Sequence, residues 1–164
     1  MKLSLSLALG FSLLGCVLLG ACAIRSEDPE LVDVPLTVKF PSVDAAALVD
    51  TIEVEFFDAS QGCDVRMQQR RAGTLEEPLA TTEADSVCRY ANGSASLRAP
   101  LGDHVLIATA RLGDKAVYAG CVQQVLGTGA PILPISLSWT GQVDAPTERA
   151  RCPLAAFCAG SCIN

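Results

Sequence analysis

Eight cysteines stand in 164 residues, and six of them fall beyond residue 60: Cys63, Cys88, Cys121, Cys152, Cys158 and Cys162. A thiol can act as nucleophile, metal ligand or half of a disulfide, and spacing helps to separate these uses. The last three lie in RCPLAAFCAGSCIN as C-x5-C-x3-C. A zinc site wants four nitrogen or sulfur ligands, usually from C-x2–4-C pairs, and the chain holds a single histidine, His104. The C-x2-C elements of iron–sulfur proteins are missing as well. No metal and no cofactor is therefore expected. An even set of thiols in a small chain reads instead as disulfides made in an oxidising compartment. Six cysteines allow fifteen connectivities. The arrangement expected here joins Cys63 to Cys88, Cys121 to Cys152 and Cys158 to Cys162. The first would close a loop of 26 residues, stabilising by about 3.5 kcal/mol in the chain-entropy model. The second would clip the tail onto the body of the domain.

Acid–base chemistry has weaker representatives. Glu53 and Glu55 lie two apart in a strand-like run, so they share one face, read here as the solvent face. A catalytic carboxylate pair needs burial to separate its two pKa values, so these two read as solubilising charge. His104 opens a strand just after a turn, where a partly exposed imidazole is commonplace; a small hydrolase built on it is the enzymatic alternative. No G-x-S-x-G, H-E-x-x-H or glycine-rich phosphate loop occurs. The acidic run Glu27-Asp28-Pro29-Glu30 does not match an EF-hand loop. Arg66, Arg70 and Arg71 form the one basic cluster, answered by Glu76, Glu77, Glu83 and Asp85 nearby. They read as a solvated loop or, functionally, as a loop that docks a partner. A non-enzyme is the expectation.

The N-terminal segment says where such a domain would work. Lys2 is followed by 22 uncharged residues, Leu3 to Ile24, the plan of a secretory leader. Leu19-Gly20-Ala21-Cys22 then resembles the lipobox of bacterial lipoproteins. That resemblance implies cleavage before Cys22, a diacylglyceryl group on its sulfur, fatty acylation (palmitate-type) of the new amine, and no added cofactor. Ala23 after the cysteine implies, within that family, delivery to the outer membrane. Three readings compete. The uncharged run could span a bilayer uncut, since about 20 apolar residues suffice. Ala21-Cys22-Ala23 also fits an ordinary signal peptidase, and Leu13-Leu14-Gly15-Cys16 is a second lipobox-like tetrad. Cleavage at Cys16 would leave Val17-Leu18-Leu19 as an apolar terminus, whereas Cys22 leads into a polar tether. One acyl chain holds a protein only marginally and two hold it stably. Loss of residues 1–21 removes Lys2 and no acid, moving the formal charge from −6 to −7. So acidic a chain suits neither nucleic acid nor an anionic lipid surface. The membrane is reached through the lipid, and an envelope protein or glycan remains as partner.

The intervening elements must position these groups. Residues 22–31 form a tether reaching about 30 Å when extended. Val32 to Phe40 alternates as a strand, with Pro35 marking an edge strand or a bulge. Val43 to Asp50 reads as a loop with a short turn. Ile52-Glu-Val-Glu-Phe56 is the cleanest strand, and residues 59–86 lose periodicity as a long loop. Short strands then recur: Ala95–Arg98, His104–Ala110, Ala116–Val125 and Ile132–Trp139. A tight turn sits at Leu112-Gly113-Asp114-Lys115, and Ile135, Leu137 and Trp139 share a face. LRAPLGDHVLIATARLGDKAVYAGC resembles the closing hairpins of small exported sandwiches of the transthyretin-like or carboxypeptidase-regulatory type. The resemblance covers about residues 32–139 and implies a scaffold or binding module, with no catalytic residues to carry over. The expected architecture is all-β: one antiparallel β-sandwich of about six or seven strands over residues 32–140. A cleaved leader (1–21) precedes it and a cysteine-rich tail (141–164) follows. The expected function is a membrane-anchored, non-catalytic binding or accessory module. A structural component assembling through its sheet edges is the alternative.

Overall fold

The computed structural model describes residues 31–129, 133–141 and 154–161. Cys16, Cys22, the leader, the tether before Leu31, Cys152 and Cys162 lie outside the described residues. Among the described residues no helix is long and apolar enough to cross a membrane. In chain order the elements are β1 (Leu31–Lys39), α1 (Val43–Ala46), β2 (Thr51–Asp58), α2 (Cys63–Ala72), β3 (Ala80–Thr81) and β4 (Asp85–Ser86). There follow α3 (Val87–Ala91), β5 (Ala95–Pro100), β6 (Gly102–Leu112), β7 (Lys115–Leu126), β8 (Leu133–Ser136), β9 (Ser138–Trp139) and α4 (Leu154–Cys158). The domain is mostly β, and every strand pair but one is antiparallel.

β1 is not an edge strand. It lies at the centre of a three-stranded sheet in the order β5-β1-β8, antiparallel to β5 and parallel to β8. Pro35 is tolerated because the ladder to β8 begins only at Leu36, just past the proline, so its missing N–H costs no bond on that side. Val34 and Leu36 alternate into the core. The single turn of α1 is started by Ser42, whose Oγ accepts from the Ala45 N–H at 3.1 Å.

The second sheet runs β3-β2-β6-β7-β9, with β4 also paired to β2. β6 and β7 meet at a two-residue turn in which Gly113 adopts φ 59°, a left-handed conformation that a tight hairpin favours and glycine accepts. The faces of β2 and β6 diverge in role. Ile52, Val54, Phe56, Leu106, Ala108 and Ala110 join Val34, Leu36, Ala95 and Ala99 of the first sheet in one apolar cluster. Phe57, Val105 and Ile107 point the other way and pack with Cys63, Met67, Leu75 and Cys121. β6 is therefore buried on both faces, which explains why His-Val-Leu-Ile-Ala-Thr-Ala reads as a near-continuous apolar run rather than a clean alternation.

What covers the second face is α2, ten residues inside the segment expected to be a loop. Its C-terminus is closed by Gly73 at φ 69°, with the Gly73 N–H donating to the Arg70 carbonyl and the Thr74 N–H to that of Gln69, a Schellman arrangement. The inward residues Cys63, Arg66, Met67 and Arg70 follow the i, i+3, i+4, i+7 spacing of one helix face. Two of the four are arginines, so hydrophobic periodicity alone does not show the helix.

The last strand also departs from expectation. Residues 133–139 do not form one strand but divide at Leu137, with β8 pairing β1 and β9 pairing β7. Leu137 is buried, and its N–H donates to the Lys39 carbonyl at 2.8 Å. The chain thus passes from one sheet to the other across β7, and it passes close. A Cβ on Gly120 would stand 2.1 Å from the Ser136 carbonyl oxygen. Ile135 and Leu137 are buried as their shared face requires, while Trp139 is 51% exposed.

Candidate functional site

Among the described residues two disulfides hold these elements, and neither is local. Cys63 bonds Cys121 and Cys88 bonds Cys158, with Cα separations of 5.7 and 5.3 Å. The expected pairs Cys63–Cys88, Cys121–Cys152 and Cys158–Cys162 are thereby all corrected. The reason is α2. Laid across the second sheet, it carries Cys63 at its first position over β7, where Cys121 shares a face with Ala119 in register with Ile107 and Thr109 of β6. Cys88, on α3, is left to meet α4, so the tail is clipped to α3. The sequence separations of 58 and 70 residues correspond to about 4 kcal/mol each in the chain-entropy model.

Arg66, expected on a partner-docking loop, is 1% exposed. Its guanidinium lies 5.0 Å from the centre of the Phe57 ring and pairs with Glu76 at 2.9 Å and Asp58 at 3.3 Å. A planar cation can be buried when a ring and two carboxylates replace its water. Asp58 is held below the ordinary carboxylate range, first by hydrogen bonds from Ser60 and then by Arg66. Arg70 pairs with Glu55, both largely shielded, and Arg111 pairs with Glu53 at 3.3 Å. The face carrying Glu53 and Glu55 is thus covered in part by α2 rather than left to solvent, and each carboxylate has its own arginine. Only Arg71 of the basic cluster is exposed, and it forms no ion pair among the described residues.

His104, expected at the surface, is 6% exposed. It faces the main core beside Phe56, ring centres 6.0 Å apart, and neither ring nitrogen has a hydrogen-bond partner. Its neighbour across β7 is Gln124, whose Oε1 is likewise unpartnered. A general base needs a substrate proton within reach and usually a group that orients it; this imidazole is walled in by the sheet. Burial raises the pKa of Tyr90, whose hydroxyl lies 3.3 Å from Thr82 Oγ1, and of Tyr118. No three His, Cys, Asp or Glu side chains gather as a metal-binding group among the described residues.

A concave surface does exist where α2 meets the outer strands. The strands line it mostly with small residues, among them Ala116, Ala119, Gly120, Ser136 and Ser138, while α2 supplies Met67, Arg70 and Arg71. Small side chains beside a helix leave two adjoining depressions, a narrow one at Trp139 and Thr140 and a shallow, open one toward Asp64 and the Cys63–Cys121 bridge, which share Met67, Arg71 and Ser138. Sequence reasoning missed it because it depends on α2 and on the break at Leu137. The available signal was Gly62 and Gly73 flanking a run of good helix formers.

No family model matches the chain, and no curated protein or solved structure matches it.

Proposed function

We propose that this chain is an exported bacterial lipoprotein, anchored in the envelope through acylated Cys22, whose domain is a non-catalytic binding module. In this reading the two sheets form a disulfide-stapled sandwich of the transthyretin-like or carboxypeptidase-regulatory kind. A tether of about ten residues carries it within about 30 Å of the membrane, with the outer membrane as destination. One observation supports it above others: two disulfides join elements far apart in the chain. Bridges of that kind persist where thiols are oxidised, which agrees with a leader ending on a lipobox-like cysteine. The contact surface is moved from the loop to the depressions between α2 and the outer strands, since Arg66 and Arg70 are engaged inside.

The test is fractionation of cells expressing the full chain and its Cys22→Ala variant. The natural chain should stay with detergent-extractable membranes through high salt, and the variant should appear uncleaved or in the soluble envelope fraction. Equal membrane retention of a cleaved variant would refute lipid anchoring at Cys22.

A second reading, assembly through sheet edges, has one observation in its favour. β9 covers β7 only at Tyr118 and Ala119, and beyond them Val125 is 68% exposed. Edge strands left this open are templates for another chain. Val125→Lys would abolish such assembly and leave binding at the depressions intact.

A further inference from the structure

Resting on the reading of Cys22 as a lipid anchor, we propose that the entry end of the domain, at the corner of β1, β5, β6 and β7, seats on the bilayer that holds the anchor. Connectivity brings these strands together. β1 starts at Leu31 in register with Pro100, the last residue of β5, and Leu101 alone links β5 to β6. Gly102 and Asp103, which open β6, stand in register with Leu126 and Val125 at the close of β7. Three large apolar residues are left in water at this end: Leu31 is 46% exposed, Leu101 39% and Val125 68%. A single exposed apolar side chain is ordinary, but these three come from separate segments and converge on one end. The stretches 100–102 and 125–129 carry no charged residue, in a chain with 18 acids and 12 bases. Asp103 is the nearest in sequence, and its carboxylate accepts from Gln123.

Shape, reach and charge all select a bilayer as the occupant. Leu31 shares the outer face of its sheet with Asp33, since Val32, Val34 and Leu36 turn inward. Val125 shares the opposite outer face with Gln123 and Cys121, and Leu101 lies in the link between the sheets. A peptide groove would need these side chains on one face, whereas a plane laid across the strand ends touches all three. Only eight residues, 23–30, separate Cys22 from Leu31, at most about 29 Å of chain. The anchor therefore keeps this end nearest the lipid. A chain of net charge −6 is held off an anionic surface, and an end without charge is the one that can bring apolar groups to the headgroups. The contact need not be strong, because a short tether makes it intramolecular, at an effective concentration in the millimolar range. β2 also ends at this level, but on Asp58, which is paired with Arg66; that corner is the one turned toward water.

Trp139 supplies the reference point. It is the sole tryptophan and pairs with Tyr118, seven residues along β7 from Val125, or about 23 Å. The lipidated mature chain is reconstituted in phosphatidylcholine vesicles carrying a spin-labelled phospholipid, and flotation first shows whether it is held. Quenching is read for Trp139 in the natural chain, and for Leu101→Trp and Val125→Trp, each combined with Trp139→Phe. Positions 101 and 125 should be quenched about threefold or more over 139, as for apolar groups sunk into the headgroup boundary. A phospholipid with a photoactivatable acyl chain repeats the test on the unsubstituted protein. Its adducts should fall on residues 31, 100–103 and 125–129 and spare the turn at 112–115, at the opposite end of β6 and β7. A chain that does not float would overturn the anchor reading and this proposal with it. A chain that floats, yet shows equal quenching at 101, 125 and 139 and adducts without preference, would overturn the docked end alone. Self-association in detergent that Leu101→Ser removes would overturn lipid as the occupant in favour of a second copy of the chain.

Discussion

Replacing Gly120 by alanine should be among the most damaging one-carbon changes in the domain. Gly120 has an ordinary φ, so alanine meets no backbone penalty there; only space is at issue. The added Cβ would stand 2.1 Å from the Ser136 oxygen, 2.8 Å from its carbon and 3.2 Å from the Leu137 Cα, where ordinary contact starts at 3.4 Å. More than an ångström must be found, and all the obstructing atoms are backbone. Neither side is free to yield. Gly120 is in register with Ala108 of β6, Ser136 with Lys39 of β1, and Leu137 donates to Lys39. Relief requires lifting β9 off β7, which loses the pairing at Tyr118 and Ala119 and loosens buried Ile135 and Leu137. Overpacking costs about 1–3 kcal/mol, and each lost backbone bond adds about 0.5–1.5 kcal/mol. The total is about 3–5 kcal/mol, or roughly 10–20 °C in a domain of this size. Urea unfolding of the oxidised protein reads the loss as a shift in midpoint at constant slope. Gly127→Ala is the control: nothing lies within 4 Å and its φ is unexceptional, so it should be neutral or gain up to about 1 kcal/mol. A Gly120→Ala protein as stable as its parent would refute the crossing of the chain over β7.

Three further outcomes follow from side chains already placed. His104→Leu removes two buried ring nitrogens that have no partner, so it should be neutral or stabilising by up to about 2 kcal/mol in urea unfolding; a loss above about 1 kcal/mol would mean the imidazole does polar work. A double-mutant cycle of Glu55→Gln and Arg70→Met, whose partners are both only 18% exposed, should give a coupling of about 1–2 kcal/mol, against a few tenths for the exposed pair Arg98–Asp33. The chain has two tyrosines, both raised above their ordinary value of 10.0 by burial. Stability from this source is complete below pH 10 and is lost as pH climbs through the folded values. Ultraviolet titration should therefore place both phenolate midpoints above the ordinary value, and a midpoint at or below it would contradict the burial of these rings.

Much of the β framework was legible because alternation is a direct imprint of a sheet face. Ile52, Val54 and Phe56 carried that imprint, and the Gly113-Asp114 turn marked the hairpin joining β6 to β7 even though β6, buried on both faces, does not alternate. The helix did not, because its buried stripe is half arginine. Arg66 is inside only because Phe57, Asp58 and Glu76 converge on it, and those partners are assembled by tertiary structure. The disulfide pairing failed with it: once residues 63–72 coil over the sheet, Cys63 meets Cys121 instead of the cysteine nearest in sequence. Trp139 was misread for a related cause. Its period-two partners Ile135 and Leu137 are buried, but the chain changes sheets between them, and alternation does not survive such a break.

Intact mass and peptide mapping of the native protein, extracted from membranes without reductant, bear on the central claim most directly. The account predicts a chain beginning at Cys22 and heavier than its residues by its fatty groups, with linked peptides joining Cys63 to Cys121 and Cys88 to Cys158. A chain of bare polypeptide mass whose cysteines all alkylate without reduction would contradict both the anchor and the staples.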